Sequence, residues 1–229
     1  PVLKESDVVG RMAVIRLEDG DTLPDIARHF SLGISALSAA NPGLDMWVPK
    51  DGELVMLPLR FILPDAPRKG IVINLATMRL FRYKVNDRSL VVTTYPVGVG
   101  TTERPTPEGQ MRVERKVPQP TWYVPASIAE DYRKKGDPLP PAVLPGPLNP
   151  LGEHALYLSK STYLIHGTNK PASIGINATN GCLRLYPEDA KKLYEDTPVN
   201  TAVCIVNQPY LIGRRNDIVY MEVHTPIDD

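Results

Sequence analysis

No apolar run in this chain approaches the roughly 18 residues that a membrane-spanning helix needs. The candidates Ile71–Leu75 and Ala202–Val206 are strand-sized. An excess of charge of one sign is missing too: 26 basic and 26 acidic residues cancel. Long-range attraction to nucleic acid or an anionic membrane is therefore not the organising theme. Cysteine is scarce, with only Cys182 and Cys204. An even count in an exported chain invites a disulfide. Against that, Cys204 sits in the apolar run Ala202-Val-Cys-Ile-Val206, where cysteine behaves as a small buried hydrophobe. No glycine-rich phosphate loop occurs; Gly98-Val-Gly100 follows a strand signal but opens no helix. A signal peptide is also absent, and the chain starts at Pro1 rather than Met, which reads as a mature or trimmed form.

What is present is proline, 24 residues against 16 glycines. The prolines fall between strand-like runs, which points to ordered turns in a β-rich protein. The 229 residues hold one large domain or two modest ones. In the first part, a strand signal at Val14 leads to a Gly-Asp turn. Thr22 stands at a helix cap, with Asp25 three positions on and Pro24 in the tolerant first turn. Leu23, Ile26, Ala27 and Phe30 then follow helical spacing. A second helix fits Ile34–Ala40, stopped by Asn41-Pro-Gly43, and a closing strand fits Glu53–Leu57. Residues 12–58 thus read as a small βααβ unit, and Pro58, Pro64 and Pro67 make 59–70 a short stiff connector.

From residue 71 strands dominate, with signals at Ile71–Leu75, Arg79–Lys84, Leu90–Pro96, Gln110–Val117, Ala155–Leu158, Tyr163–His166, Ala202–Val206 and Val219–Val223. Asn86-Asp87 reads as a hairpin turn. A helix follows Pro187, with Glu188 and Asp189 in its first turn. So few helices among so many strands predict a mainly β domain over 71–229. Residues 118–150 differ: they hold nine prolines, the aromatics Trp122, Tyr123 and Tyr132, and one short helix capped by Ser127 and ended by Gly136. A long ordered loop of this kind reads as a lid or insertion.

The segment from His166-Gly-Thr168 to Gly181-Cys-Leu-Arg184 carries the chemistry. A thiol with its usual pKa near 8.5 is only a few per cent thiolate at neutral pH. An imidazole that accepts its proton, with Arg184 as a fixed cation, makes an ion pair with a competent nucleophile. Gly181 lets a planar carbonyl approach and leaves backbone N–H groups facing the developing oxyanion. A zinc site is disfavoured, because no Cys-x2-Cys or His-x3-His pair exists and four ligands require distant residues such as His154. A papain-type arrangement is disfavoured because there the cysteine precedes the histidine. No metal and no cofactor is expected.

These residues resemble the signature of the YkuD-type L,D-transpeptidase catalytic domain: His166-Gly-Thr168, Ser173-Ile-Gly175 and Thr179-Asn-Gly-Cys-Leu-Arg-Leu185. Thr106-Pro-Glu-Gly109 and Gly146–Gly152 resemble further segments of that family. The resemblance implies a β-sandwich-like fold and a periplasmic location. It implies a cysteine acyltransferase acting on peptidoglycan stem peptides, with Cys182 as nucleophile and His166 as base. It also implies that His166 is oriented by the Gly167 carbonyl, that Gly181 and Cys182 donate to the oxyanion, and that Arg184 holds the site or a substrate carboxylate. Thr168, Ser173, Asn180, Trp122 and Tyr123 are candidate substrate contacts. Many members carry a histidine where Asn180 stands. Residues 12–58 resemble a LysM module, on Asp21-Thr-Leu, Ile26-Ala, Leu37, Ala40-Asn-Pro-Gly43 and Val55-Met-Leu-Pro58, which implies binding of N-acetylglucosamine-containing glycan. The acyl acceptor is either the terminal lysine of an outer-membrane lipoprotein or a second stem, giving a 3→3 cross-link. Two alternatives stay open: an L,D-carboxypeptidase or hydrolase using the same cysteine, and a non-catalytic wall-binding protein.

Overall fold

The structure, a computed structural model, describes residues 6–160 and 163–226. Its first part comprises strands β1 (Val8–Gly10) and β2 (Ala13–Arg16), helices α1 (Leu23–His29) and α2 (Ile34–Ala40), and strands β3 (Leu54–Leu57) and β4 (Arg60–Ile62). Thr22 caps α1 as expected: its Oγ1 accepts the Asp25 N–H at 3.3 Å and donates to the Asp25 carboxylate at 2.9 Å. The predicted apolar stripe points inward, with Leu23 and Ala27 buried and Ile26 and Phe30 packed beside them. Asn41 ends α2 and ties it to β3. Its amide donates to Leu37 O and Met56 O and accepts from the Met56 N–H. β2 pairs antiparallel with β3 around a cluster of Leu17, Leu32, Leu37, Val55 and Leu57. The stretch 59–70 contains β4, which pairs with β1.

The rest of the chain adds β5 (Gly70–Asn74), β6 (Arg79–Asn86), β7 (Ser89–Pro96), β8 (Val99–Gly100), β9 (Gly109–Pro118), β10 (Trp122–Tyr123), α3 (Ala126–Lys134) and β11 (Ala142–Val143). It continues with β12 (His154–Leu158), β13 (Leu164–His166), β14 (Asn177–Thr179), β15 (Leu183–Arg184), α4 (Pro187–Asp196), β16 (Ala202–Val206), β17 (Tyr210–Arg215) and β18 (Ile218–Val223). Eight strands form one sheet in the order β15-β13-β12-β9-β16-β5-β6-β7. Among the described residues, β13–β15 and β16–β5 are the parallel pairs within this sheet, and β14–β8 pair in parallel outside it. The chain just past β7 returns to the opposite end of the sheet, where Gly98 and Arg184 exchange backbone hydrogen bonds of 2.7 and 3.0 Å. The sheet therefore curls until its two ends meet. The expected sandwich-like layering resolves into one curled sheet around a single cluster, in which Ile71, Leu80 and Ile205 pack with Val99, Ile165, Leu183 and Leu193.

Three local expectations change. Ser127 does not cap α3; the cap is Pro125, without a side-chain bond. Pro125 has a fixed φ of −59° and an extended ψ of 141°. That geometry already starts the helix one residue earlier and leaves Ser127 inside the first turn. The β6–β7 turn is Asp87-Arg88, with Asn86 still paired to Ser89 and Asp87 carrying the positive φ of 52°. β17 had no signal of its own, because Gly213-Arg-Arg215 interrupts its apolar alternation. Pairing with β18 makes it a strand. Neither cysteine is in a disulfide, and Cys204 Sγ accepts from Gln110 Nε2 at 3.3 Å.

The turn between α1 and α2 rests on the segments that flank Cys182. Gly33 and Gly175 meet backbone to backbone, so close that a Cβ on Gly175 would lie 2.4 Å from Gly33 Cα. Ile34 N–H donates to Ile174 O at 3.3 Å, and Tyr186 Oη donates to Leu32 O at 2.9 Å. Ser31 Oγ donates to Asp189 at 2.9 Å, and Arg28 pairs with Glu188. Arg79 is buried beside them, donates to Ser31 O at 2.7 Å and stacks over Phe61. Burial pushes its guanidinium down to about 9. Burial likewise raises the Asp189 carboxyl to about 6, against the pull of Ser31 and Arg79.

Candidate active site

Parallel pairing of β13 with β15 builds the site. Ile165 lies opposite Leu183, and His166 opposite Arg184. Side chains alternate along a strand. Ile165 and Leu183 fill the core at 1% and 0% exposure, so His166 and Arg184 share the other face, and Cys182 lies just before β15, two residues from Arg184. Strand spacing and a two-residue offset set the His166 and Cys182 Cα atoms about 8 Å apart, within reach of a ring and a thiol. The parallel register places His166 opposite Arg184, and the Arg184 charge acts on both the His166 ring and the Cys182 thiol.

His166 is buried, and its Nδ1 contacts the Gly167 carbonyl. A carbonyl oxygen only accepts, so Nδ1 carries the hydrogen and Nε2 keeps the lone pair a base needs. Burial, with Arg184 adding to it, pushes the imidazole down to about 4. The Cys182 thiol is pushed up by burial, opposed by a backbone hydrogen bond at Leu164 and by the Arg184 charge. The expected resting ion pair is therefore replaced by a neutral pair. A low-dielectric pocket penalises thiolate and imidazolium alike.

The turn that carries Cys182 is held by hydroxyls. Thr179 Oγ1 accepts the Gly181 N–H at 3.2 Å and donates to Cys182 O at 2.6 Å. Thr106 Oγ1 donates to Gly181 O at 2.8 Å and accepts the Gly100 N–H at 3.0 Å. The Gly181 N–H, one of the expected oxyanion donors, is thus engaged by Thr179. Gly181 has φ +96°, and a Cβ there would press on the Tyr163 ring at 2.9 Å. Neither Thr106 nor Thr179 was singled out as a site residue. Thr106 lay in a flagged motif, but nothing local says where its hydroxyl points.

The other candidates occupy distinct places. Arg184 donates through Nη1 to Ser173 Oγ at 2.8 Å, while its Nε is buried without a hydrogen-bond partner. Ser173 in turn donates to Lys170 O at 2.8 Å. Thr168 is buried and its Oγ1 accepts the Lys170 N–H at 2.9 Å, which shapes the turn after His166. Asn180 is exposed, and its Oδ1 accepts from Arg104 at 3.1 Å. Arg104 also pairs with Asp131 of α3, so it links the 118–150 insertion to the cysteine turn. Trp122 and Tyr123 lie in that insertion, paired with Val143 and Ala142; Tyr123 is 74% exposed. The insertion is knotted at its base by the buried Asn149, which donates to Pro120 O, Val143 O and Leu144 O. Gly152 then passes so close to Gly167-Thr168 that a Cβ would meet Thr168 N at 2.8 Å. Among the described residues no cluster of three or more His, Cys, Asp or Glu is placed to hold a metal.

A family model described as the L,D-transpeptidase catalytic domain, YkuD, matches residues 68–205. The chain is 40% identical over 226 residues to "Probable L,D-transpeptidase YbiS" of Escherichia coli K12, covering 97% of this chain and 73% of that protein. It is 38% identical to "Probable L,D-transpeptidase ErfK/SrfK" of the same strain, covering 97% and 72%. Among solved structures, L,D-transpeptidase 3 from Mycobacterium tuberculosis is similar at 16% identity and a TM-score of 0.42, over 84% of this chain and 90% of that one. The matched region carries the curled sheet and the His166–Cys182 site, and the chain belongs to the L,D-transpeptidase family.

Proposed function

We propose that Cys182 and His166 carry out ping-pong acyl transfer on peptidoglycan stem peptides. The observation that supports it best is the placement of His166 opposite Arg184, whose charge acts on both His166 and Cys182, with His166 Nδ1 held by Gly167 O. Cys182 Sγ attacks the carbonyl of the L-centre of the third stem residue while His166 Nε2 takes the thiol proton. The carbonyl oxygen becomes an oxyanion that accepts from the Cys182 N–H. The C–N bond breaks, His166 returns the proton to the departing D-alanine amine, and a thioester remains. An acceptor amine then attacks the thioester, gives its proton to His166 and releases the sulfur, which is reprotonated. Arg184 favours thiolate over thiol and disfavours a lasting imidazolium, so the proton is held by His166 only in passing.

In this reading residues 71–229 are the catalytic domain, and 118–150 form a lid whose Trp122 and Tyr123 frame the cleft and exclude water. Arg104 pins that lid. Residues 12–58 act as a LysM module that tethers the enzyme to wall glycan and raises local substrate concentration, with 59–70 as the connector. Arg184 Nε and the exposed Asn180 face substrate, while Ser173 and Thr168 shape the turn between His166 and Cys182. The acceptor is a lipoprotein lysine, with a second stem as its competitor, and the enzyme works in the periplasm. Incubation with tetrapeptide muropeptides and a lysine-ended acceptor peptide, read by mass spectrometry, tests this. Transfer products that vanish in Cys182→Ala support the reading. Trimmed monomers without transfer mark a hydrolase, and products unchanged in Cys182→Ala overturn the nucleophile.

A further inference from the structure

We propose that Ser173 is a positioning residue for acyl transfer, holding the Arg184 guanidinium beside the His166–Cys182 pair, and that the α1–α2 turn sets Ser173 through Gly175. The inference rests on Cys182 being the nucleophile. Arg184 Nη1 donates to Ser173 Oγ at 2.8 Å, and Arg184 Nε is buried without a hydrogen-bond partner. Ser173 Oγ donates in turn to Lys170 O at 2.8 Å. A hydroxyl has one proton. Directing it to Lys170 O leaves the oxygen lone pairs to the guanidinium. An arginine side chain otherwise has many rotamers, and its Coulomb interaction falls with distance. The place of Ser173 therefore sets how strongly Arg184 acts on its neighbours. That action favours the Cys182 thiolate and disfavours the His166 imidazolium.

Residues 173–176 are gripped from two sides. On one side is Gly98. A Cβ there would lie 3.2 Å from Ser173 O and 3.5 Å from Arg184 Cβ, and the Val99 N–H donates to Ile176 O at 3.3 Å. On the other side is the α1–α2 turn. Gly33 abuts Gly175, and the Ile34 N–H donates to Ile174 O at 3.3 Å. Side chains anchor that turn: Tyr186 Oη donates to Leu32 O, Ser31 Oγ to Asp189, and Arg79 to Ser31 O. Gly33 and Gly175 leave no room for a carbon between their backbones, so a displacement at Gly33 passes into the arm that carries Ser173. The α1–α2 unit therefore does more than tether. Its turn is one wall of the arm that holds Arg184.

The experiment follows Cys182 in the full chain by peptide mass, which separates it from Cys204. It reads the pH midpoint of alkylation by iodoacetamide and the rate of acylation by a carbapenem. Ser173→Ala releases the guanidinium. The midpoint should rise by about half a unit to one unit, part of the 1–3 units that an opposite charge gives, and acylation should slow by roughly three- to tenfold. A merely loosened pocket gives the opposite sign, because water relieves the burial that holds the thiol up. Ser173→Thr, which keeps the hydroxyl, should match wild type. Gly33→Ala tests the turn. Gly33 has φ −73°, which alanine adopts freely, and its Cβ would lie 3.0 Å from Gly175 Cα. The midpoint should rise by roughly 0.3 unit, and no further when the change is added to Ser173→Ala. Gly20→Ala weakens the same unit at a site in open space and should not move it. If Gly33→Ala does not fold, Tyr186→Phe, which removes the bond to Leu32 O, carries the same expectation. An unchanged or lowered midpoint in Ser173→Ala overturns the proposal, as does a threonine variant that behaves like alanine. A Gly33→Ala midpoint equal to wild type, or a shift that Gly20→Ala reproduces, overturns the part played by the turn. If wild-type Cys182 takes no carbapenem, the nucleophile assignment fails; if it does and the midpoints stay put, only the role of Ser173 fails.

Discussion

His166 has given up its usual titration range to stay buried beside Arg184. The consequence reaches the pH dependence of the reaction. With the imidazole lowered to about 4, the ring is neutral, and able to accept a proton, throughout the mildly acidic range. Carbapenem acylation rates should therefore hold from pH 7 to pH 5 and fall only as pH approaches 4; an acid limb centred near 6.5 would contradict the burial argument. His166, Cys182 and Arg184 were legible in the sequence because each sits beside a glycine or in a short motif whose chemistry is local. The roles of Thr106, Thr179 and Arg104 were not. Thr106 and Arg104 bond partners 75 and 76 positions away, and no spacing rule reaches that far. The neutral resting pair was also hidden, because burial is a property of the fold.

Elements bring a second kind of constraint, the contact of α1 and α2 with the chain around Cys182. Gly175 has φ +79° and no room for a Cβ. Gly175→Ala should cost roughly 2–3 kcal/mol in denaturant unfolding, from backbone strain plus a clash with Gly33. Gly20 supplies the control. Its φ is +87° but open space surrounds it, so Gly20→Ala should cost only about 1 kcal/mol. Equal losses would mean that the Gly33–Gly175 seam bears no weight. Arg104 makes a separate test. Arg104→Ala removes the tie between Asp131 and Asn180, and amide exchange across Ala126–Lys134 should rise by about tenfold or more; unchanged exchange would show that Asn149 and the β10–β11 ladder suffice. Helices α1, α2 and α4 were readable because caps, prolines and apolar spacing agree. β1, β4 and β17 were not, since each becomes a strand only by finding a distant partner.

At the scale of the whole molecule, two buried titrating groups pull stability in opposite directions. The Asp189 carboxyl is raised from 3.8 to about 6. Its contribution is full below pH 4 and is lost as pH rises through 6. The His166 ring is lowered from 6.5 to about 4. Its contribution is full above pH 6.5 and is lost as pH falls through 4. Each effect is on the order of 3 kcal/mol. Asp189→Asn should therefore gain stability at pH 7 and lose that gain near pH 4, while His166→Asn should flatten the loss on acidification. Unfolding at pH 4, 5.5 and 7 checks both, and parallel profiles for wild type and variants would refute the assignment. The mainly β class was readable from strand count at this scale. The closure of the sheet through Gly98 and Arg184 was not, because it depends on two segments more than eighty residues apart in the chain meeting at one edge. That closure helps hold the Cys182 segment beside His166.

The most direct test of the account is the covalent intermediate itself. Wild-type protein mixed with a disaccharide tetrapeptide, quenched in acid and analysed by intact and peptide mass, should carry the disaccharide tripeptide as a thioester on Cys182, with one D-alanine released per adduct. Release of D-alanine with no adduct on Cys182, or an unchanged yield from Cys182→Ala, would contradict it.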